Sequence, residues 1–219
     1  MPKFVYDLVE KTALQATMQG GYVPKQEIVK MLGTASQQYQ NHLLVLLANN
    51  KRNDTALAPF LRRQDYNVSP GIPNARPMRD GQFTLPDDCA YVDYYDMAGA
   101  DTVVEVDGYA LRNRRASPIT APTKQYPLVT TVENGDKQVY PADVPGCSVQ
   151  YYARVPQPVY AETYDAQGNA VYDDASSVDV GWGREHEPEL IERTLRLLAQ
   201  ATRDGQLGQT AERLSQDNN

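Results

Sequence analysis

Few side chains in this sequence can do chemistry, and their spacing decides what remains. There are two histidines among 219 residues. His42 falls within a helical pattern and reads as a helix-face residue. His186 stands in Arg184-Glu185-His186-Glu187, which resembles a zincin motif only superficially. The second histidine four residues on is missing, and Pro188 breaks the register. Cys89 and Cys147 each lack a nearby histidine to activate a thiolate. Two lone thiols are expected rather than a disulfide. Asp165, Asp173, Asp174 and Asp179 do not follow the spacing of an EF-hand loop. Asp87-Asp88 could form a carboxylate pair, but a general acid needs one member buried, and a turn is the simpler expectation. No nucleophile elbow, Walker loop or dinucleotide fingerprint is present. The sequence therefore predicts no catalytic residue, no metal site and no cofactor.

The basic cluster Arg112, Arg114 and Arg115 stands out. On a strand, Arg112 and Arg114 would share a face. They would then meet an acidic neighbour or DNA, or simply keep a solvated edge from pairing. The net charge is -7, which argues against a chain built to grip phosphates, because such binding rests on Lys and Arg. It suits a surface that DNA slides past. The aromatics are skewed, with 15 Tyr against 3 Phe and 1 Trp. Tyrosine buries a ring and keeps a wet hydroxyl, so it serves small β cores and protein interfaces alike. Mean hydropathy of -0.57 fits a soluble, folding chain. The N-terminus has no long apolar core and no apolar run reaches about 18 residues, so neither export signal nor membrane span is expected.

The elements that would position these residues follow from periodicity. The stretch CSVQYYARVPQPVY, from Cys147 to Tyr160, alternates. Val149, Tyr151, Ala153 and Val155 face one way, and Gln150, Tyr152 and Arg154 the other, until Pro156 and Pro158 stop the strand. A helix is predicted from Lys3 to Gln19, with Val5, Leu8, Thr12, Ala13 and Ala16 on one stripe. Gly20-Gly21 ends it. Pro24 would open a second helix to about Ala48, with Gln26 as half of a capping box. Its inner face is Ile28, Met31, Leu32, Ala35, Tyr39, Leu43, Leu46 and Leu47. Gly33 within it allows a close contact or a bend. Residues 56–63 suggest a short helical turn. Short strands are expected at 83–85, 91–95, 102–106, 128–132 and 137–140. Asn134-Gly135 closes a hairpin between the last two.

Gln167-Gly168-Asn169 would tip a second hairpin with legs at 160–164 and 170–172, too poor in apolar residues to have its own core. Trp182 would anchor its return. Pro188 starts a closing helix with Leu190, Ile191, Thr194, Leu195, Leu197 and Leu198 on one stripe. The expected fold class is α+β: a helical bundle of an N-terminal αα-hairpin plus a C-terminal helix, with an inserted antiparallel β domain. Residues 1–70 form the helical hairpin and linker. Residues 71–183 form the β domain, with its hairpin arm at 160–180. Residues 184–202 return to the bundle, and 203–219 form a polar tail.

Four segments, in order, resemble the head-to-tail connector (adaptor, or ring) proteins of tailed bacteriophages, closest to those of crAss-like and other phages of Bacteroidota. They are VYDLVEKTALQATMQGGYVPKQEIVKML, QFTLPDDCAYVDYY, KQYPLVTTVENGDKQVYPADVPGCSVQYYARVPQPVY and EHEPELIERTLRLLAQ. The chain departs from that pattern at Val23, where a Ser or Thr cap is usual, and across the polar linker 49–86. The resemblance implies a structural virion protein without an active site. It implies a homo-oligomeric ring, usually twelvefold, between the portal protein and adjacent neck or tail proteins, with DNA passing only transiently. Such a protein is made in the host bacterial cytoplasm. Tyr160, Tyr164, Tyr172 and Trp182 on the arm, Leu190 and Leu197 on the closing helix, Leu207 and Leu214 in the tail, and the three arginines are the candidate interaction residues. The alternative is a tail or baseplate protein whose tyrosine-rich β domain binds carbohydrate or a receptor. A third possibility, a hydrolase working through Asp87 or Asp88, requires a buried carboxylate.

Overall fold

A computed structural model describes residues 3–18, 22–49, 54–68 and 74–202. The fold is α+β. The helices are α1 (Phe4–Met18), α2 (Lys25–Ala48), α3 (Asp54–Leu57), α4 (Gly108–Ala116) and α5 (Glu187–Thr202). The strands are β1 (Leu61–Asn67), β2 (Arg76–Pro77), β3 (Gln82–Phe83), β4 (Cys89–Asp96), β5 (Val104–Glu105), β6 (Leu128–Thr131), β7 (Lys137–Tyr140), β8 (Gly146–Ala153), β9 (Glu162–Tyr164) and β10 (Ala170–Tyr172). The chain divides into two compact units. The helical unit takes the chain up to Phe60 and again from Val155, and the β unit is Leu61–Arg154. The β unit thus starts earlier and ends earlier than the expected 71–183. The hairpin arm belongs with the helices, because its tyrosines pack on α1.

In the helical unit, α1 buries Phe4, Val5, Leu8, Val9, Thr12 and Ala16. That spacing of three and four puts them on one stripe. The first backbone N–H groups of a helix need an acceptor from outside it. Here the carboxylate of Asp179 accepts Phe4 N–H at 3.1 Å and Val5 N–H at 2.9 Å, so a residue far along the chain caps the opening helix. In α2 the buried positions are Ile28, Leu32, Gly33, Ala35, Ser36, Gln40, Leu43 and Leu44. Met31, Tyr39, Leu46 and Leu47 are only partly covered. Pro24 precedes the helix as its cap residue without a side-chain capping bond, and its carbonyl accepts the N–H groups of Glu27 and Ile28. The expected half capping box at Gln26 is not formed. Along α5, Leu190, Ile191, Thr194, Leu195, Leu198 and Ala199 are buried. Glu192 is buried with them, and ion pairs Arg193–Glu189 at 2.5 Å and Arg196–Glu192 at 2.6 Å brace the helix one turn apart.

The β unit contains two four-stranded sheets, ordered β2-β1-β8-β4 and β3-β7-β6-β5. Strand β8 is interior, antiparallel to β1 on one side and to β4 on the other. Its alternation is as expected: Cys147, Val149 and Tyr151 face a core that also takes Tyr66, Phe83, Tyr95, Val129 and Val139 from the other strands. The hairpin β6–β7 pairs Val129 with Val139 across a turn in which Gly135 takes φ +80°. That backbone region is open to glycine at little steric cost. Three findings differ from expectation. Most pairs are antiparallel, but β1 with β2 and β5 with β6 are parallel, so both sheets are mixed. Leu61–Asn67 is a strand, although LRRQDYN shows no apolar alternation; only Tyr66 in it is buried, and the neighbouring β8 supplies the pairing. Residues 108–116 are a helix, not a strand. Asp107 caps it, its carboxylate accepting the Ala110 N–H at 2.6 Å.

Candidate functional site

A hydrogen-bonded cluster of polar side chains in the β unit lies beside β4. A cleft of about 740 Å³ follows this strand and is lined by Asp87, Tyr91, Tyr94, Glu105, Lys137 and Arg154, among others. Strand β4 is the outermost strand of its sheet, so the cleft runs along a sheet edge. Three strands position the inner residues. Tyr95 on β4 donates its hydroxyl to Glu105 on β5 at 2.7 Å. Lys137 on β7 donates to the same carboxylate at 2.5 Å and to the Thr131 hydroxyl at 2.9 Å. Burial alone would raise the Glu105 pKa, but the bonds from Lys137 and Tyr95 outweigh it and hold the carboxyl below its usual range. Burial first, and then the adjacent carboxylate, push the Tyr95 phenol upward. Both carboxylate oxygens of Glu105 are engaged and the phenol stays protonated, so the cluster is a satisfied network that fixes the cleft floor. At the rim, Asp87 and Asp88 are exposed and lie in a turn. Neither has the buried setting that a hydrolytic general acid requires.

Cys147 is buried and Cys89 half-buried, and both are free thiols. Burial pushes Cys147 up to about 12, with the Asp96 and Asp65 carboxylates adding to the effect. It is therefore protonated and inert at neutral pH. His42 is exposed on α2. His186 is half-buried in an aromatic nest. Its Nδ1 is 3.1 Å from the Tyr39 hydroxyl, and its ring centroid is 5.2 Å from that of Trp182. Among the described residues no group of His, Cys, Asp and Glu side chains comes together that could hold a metal ion. No helix among them is long and apolar enough to cross a membrane.

The candidate interaction residues scatter. Arg112, Arg114 and Arg115 are exposed, but on helix α4, where Arg112 and Arg114 point roughly 200° apart instead of sharing a face. Arg115 stacks over the Tyr140 ring at 4.9 Å. Tyr160 and Tyr172 are half-buried against Tyr6 of their own chain, with ring centroids 6.1 Å and 4.8 Å away. The Tyr160 hydroxyl donates to Glu10 at 2.6 Å, and Lys25 donates to both. Burial, then the Glu10 bond, push Tyr160 up to about 12. Trp182 and Leu190 are buried, at 5% and 0% exposure, and present no surface to a partner. Their apolar bulk goes into the helical core. Leu197 is half-buried, and Tyr164 is 76% exposed. Leu207 and Leu214 lie outside the described residues.

Compared with models of known protein families the chain matches none, and no curated protein matches it. The Tyr95–Glu105–Lys137 network was not legible in the sequence. Its members come from three separate strands, and no spacing rule links them.

Proposed function

We propose that the chain is a structural virion protein that assembles with copies of itself into a head-to-tail connector ring, joining the portal to the tail and letting DNA pass. The observation that carries this reading is the pattern of apolar side chains left uncovered in both units among the described residues. Leu14, Met18, Tyr22 and Val45 are exposed in the helical unit, Tyr164 and Val171 on its hairpin, and Tyr109, Ile119 and Tyr126 in the β unit. Single exposed apolar residues are ordinary, but large ones repeated on separate elements are what neighbouring subunits cover. The acidic balance supports a channel wall that does not hold DNA. The polar cleft floor is tied up in its own hydrogen bonds, which supports a scaffold in preference to a reaction centre.

Electron microscopy of intact virions carrying the protein tests this. The expected result is density for a closed ring of this chain at the portal vertex. Finding the chain elsewhere in the particle, or not in the particle, refutes it. The cleft along β4, with Tyr91 and Tyr94 beside Asp87 and Asp93, favours one alternative, a tail or baseplate protein that binds carbohydrate. Aromatic faces and carboxylates together suit sugar rings. A monomer or trimer that binds glycans in solution would support that reading over the ring.

A further inference from the structure

We infer that the basic, partly apolar surface built by α4 and the loop after it receives the β9–β10 hairpin of a second copy of the chain. The inference rests on the self-assembly proposed above and names the two surfaces that meet.

The receiving surface is distinctive in both charge and hydrophobicity. From residue 108 to 126 the chain carries Arg112, Arg114, Arg115 and Lys124, and no Asp or Glu. Lys124 is paired with Asp143 at 2.8 Å, and Arg115 is stacked on Tyr140. Arg112 and Arg114 make no ion pair among the described residues. Arg114 lines a shallow depression of about 470 Å³ together with Val104, Ile119 and Tyr126. Ile119 is 92% exposed and Tyr109, on the same helix as the arginines, 79%. A large aliphatic side chain almost wholly in water, beside the Arg114 guanidinium, is a surface prepared for an acidic partner with apolar side chains of its own.

The hairpin has those features. From residue 155 to 183 the charged residues are Glu162, Asp165, Asp173, Asp174 and Asp179, and there is no Lys or Arg. Asp179 is used on the α1 N-terminus and Glu162 lies 3.6 Å from Lys25. Asp165 and Asp174 are exposed and make no ion pair among the described residues. Two strands of three residues form the hairpin, and among the described residues no third strand joins them. A hairpin alone is marginally stable in water. Its base is held by Tyr172 on Tyr6, but Tyr164 and Val171 remain uncovered. Because the two surfaces differ, the contact is heterologous, the kind that repeats from copy to copy and closes into a ring when the rotation allows.

The test uses full-length chains. Ile119→Cys protein is mixed with Tyr164→Cys protein under mild oxidation, with the unmodified chain as control for Cys89 and Cys147. A disulfide joining position 119 of one chain to position 164 of another, found by peptide mass spectrometry in a species of twice the chain mass, is expected. In parallel, mass photometry follows assembly of the parent chain and of Arg114→Glu, whose fold is checked by circular dichroism. This variant should need about tenfold or more protein to assemble, because it sets like charges against the hairpin. Oligomers that form without the 119–164 link, and that ignore the charge reversal, overturn this inference and leave the ring reading standing. A chain that stays monomeric on its own and at its target vertex overturns both. A link formed only within the Ile119→Cys/Tyr164→Cys double variant, at monomer mass, assigns the hairpin to its own chain and also overturns the inference.

Discussion

The side-chain oxygen of Gln40 accepts the backbone N–H of Val155 at 3.1 Å, with the two residues 2% and 4% exposed. It ties the middle of α2 to the point where the chain leaves the β unit. A glutamine deep in a helix face is tolerated here because it satisfies a donor that has no strand to pair with after Ala153. Gln40→Ala should therefore lower stability by about 1–3 kcal/mol, the cost of an orphaned buried N–H. Urea unfolding followed by circular dichroism measures this. An unchanged midpoint would mean that water replaces the side chain.

His186 sets a pH dependence. Burial lowers its pKa from the ordinary imidazole value of 6.5, opposed in part by Glu185 and Glu189. Tyr39, Trp182 and Arg193, the last 5.2 Å over the Tyr39 ring, complete its surroundings. The folded state then binds the proton less readily than the unfolded state. Stability from this residue is complete above pH 6.5 and falls as pH drops from there through the lowered value. His186→Phe should show a shallower loss of stability between pH 7 and about 5 than the parent. Parallel slopes in denaturant titrations across that range would refute the assignment.

Gly33 lies where the segment after β8 crosses α2. A Cβ there would stand 2.6 Å from Gln157 Oε1 and 3.2 Å from Pro158 Cδ. The Gln157 tip can swing away, while the proline ring has little freedom. Alanine also gains about 1 kcal/mol of helix propensity over glycine, so Gly33→Ala should be near neutral. Gly33→Val adds bulk against the ring and should cost about 1–3 kcal/mol. Melting curves of the two variants should separate clearly; coincident curves would show that the segment gives way.

The Glu105 carboxyl is held below its usual range by Lys137 and Tyr95 despite burial, which acts the other way. A carboxyl lowered in the folded state contributes stability above its unfolded pKa and loses it as pH falls through the folded value. Glu105→Gln should cost about 1–2 kcal/mol at pH 7, less than a fully buried pair because Glu105 stays partly exposed. The difference between variant and parent should narrow on acidification. A constant difference down to pH 3 would show that the ion pair contributes nothing.

Local pattern alone determined much of this protein. The spacing of Val5, Leu8, Thr12 and Ala16, the stripe from Leu190 to Leu198, the alternation of Val149 and Tyr151, and the Asn134-Gly135 turn each identify their element. In the helices and the strand the residues that shape the backbone are also the ones that bury its face, and in the turn Gly135 supplies the positive φ. Strand β1 and helix α4 were not legible in that way. Leu61–Asn67 is a strand because β8 offers it hydrogen-bonding partners, and residues 108–116 turn helical because Asp107 caps them. The boundary between the units was likewise settled by packing, when Tyr160 and Tyr172 closed on Tyr6 and drew the arm to the helices. Tertiary structure alone decided which polar groups meet. Asp179 reaches the N–H groups at the start of α1, and Glu105 gathers Tyr95 and Lys137, because buried donors and acceptors must be matched wherever in the chain their partners lie.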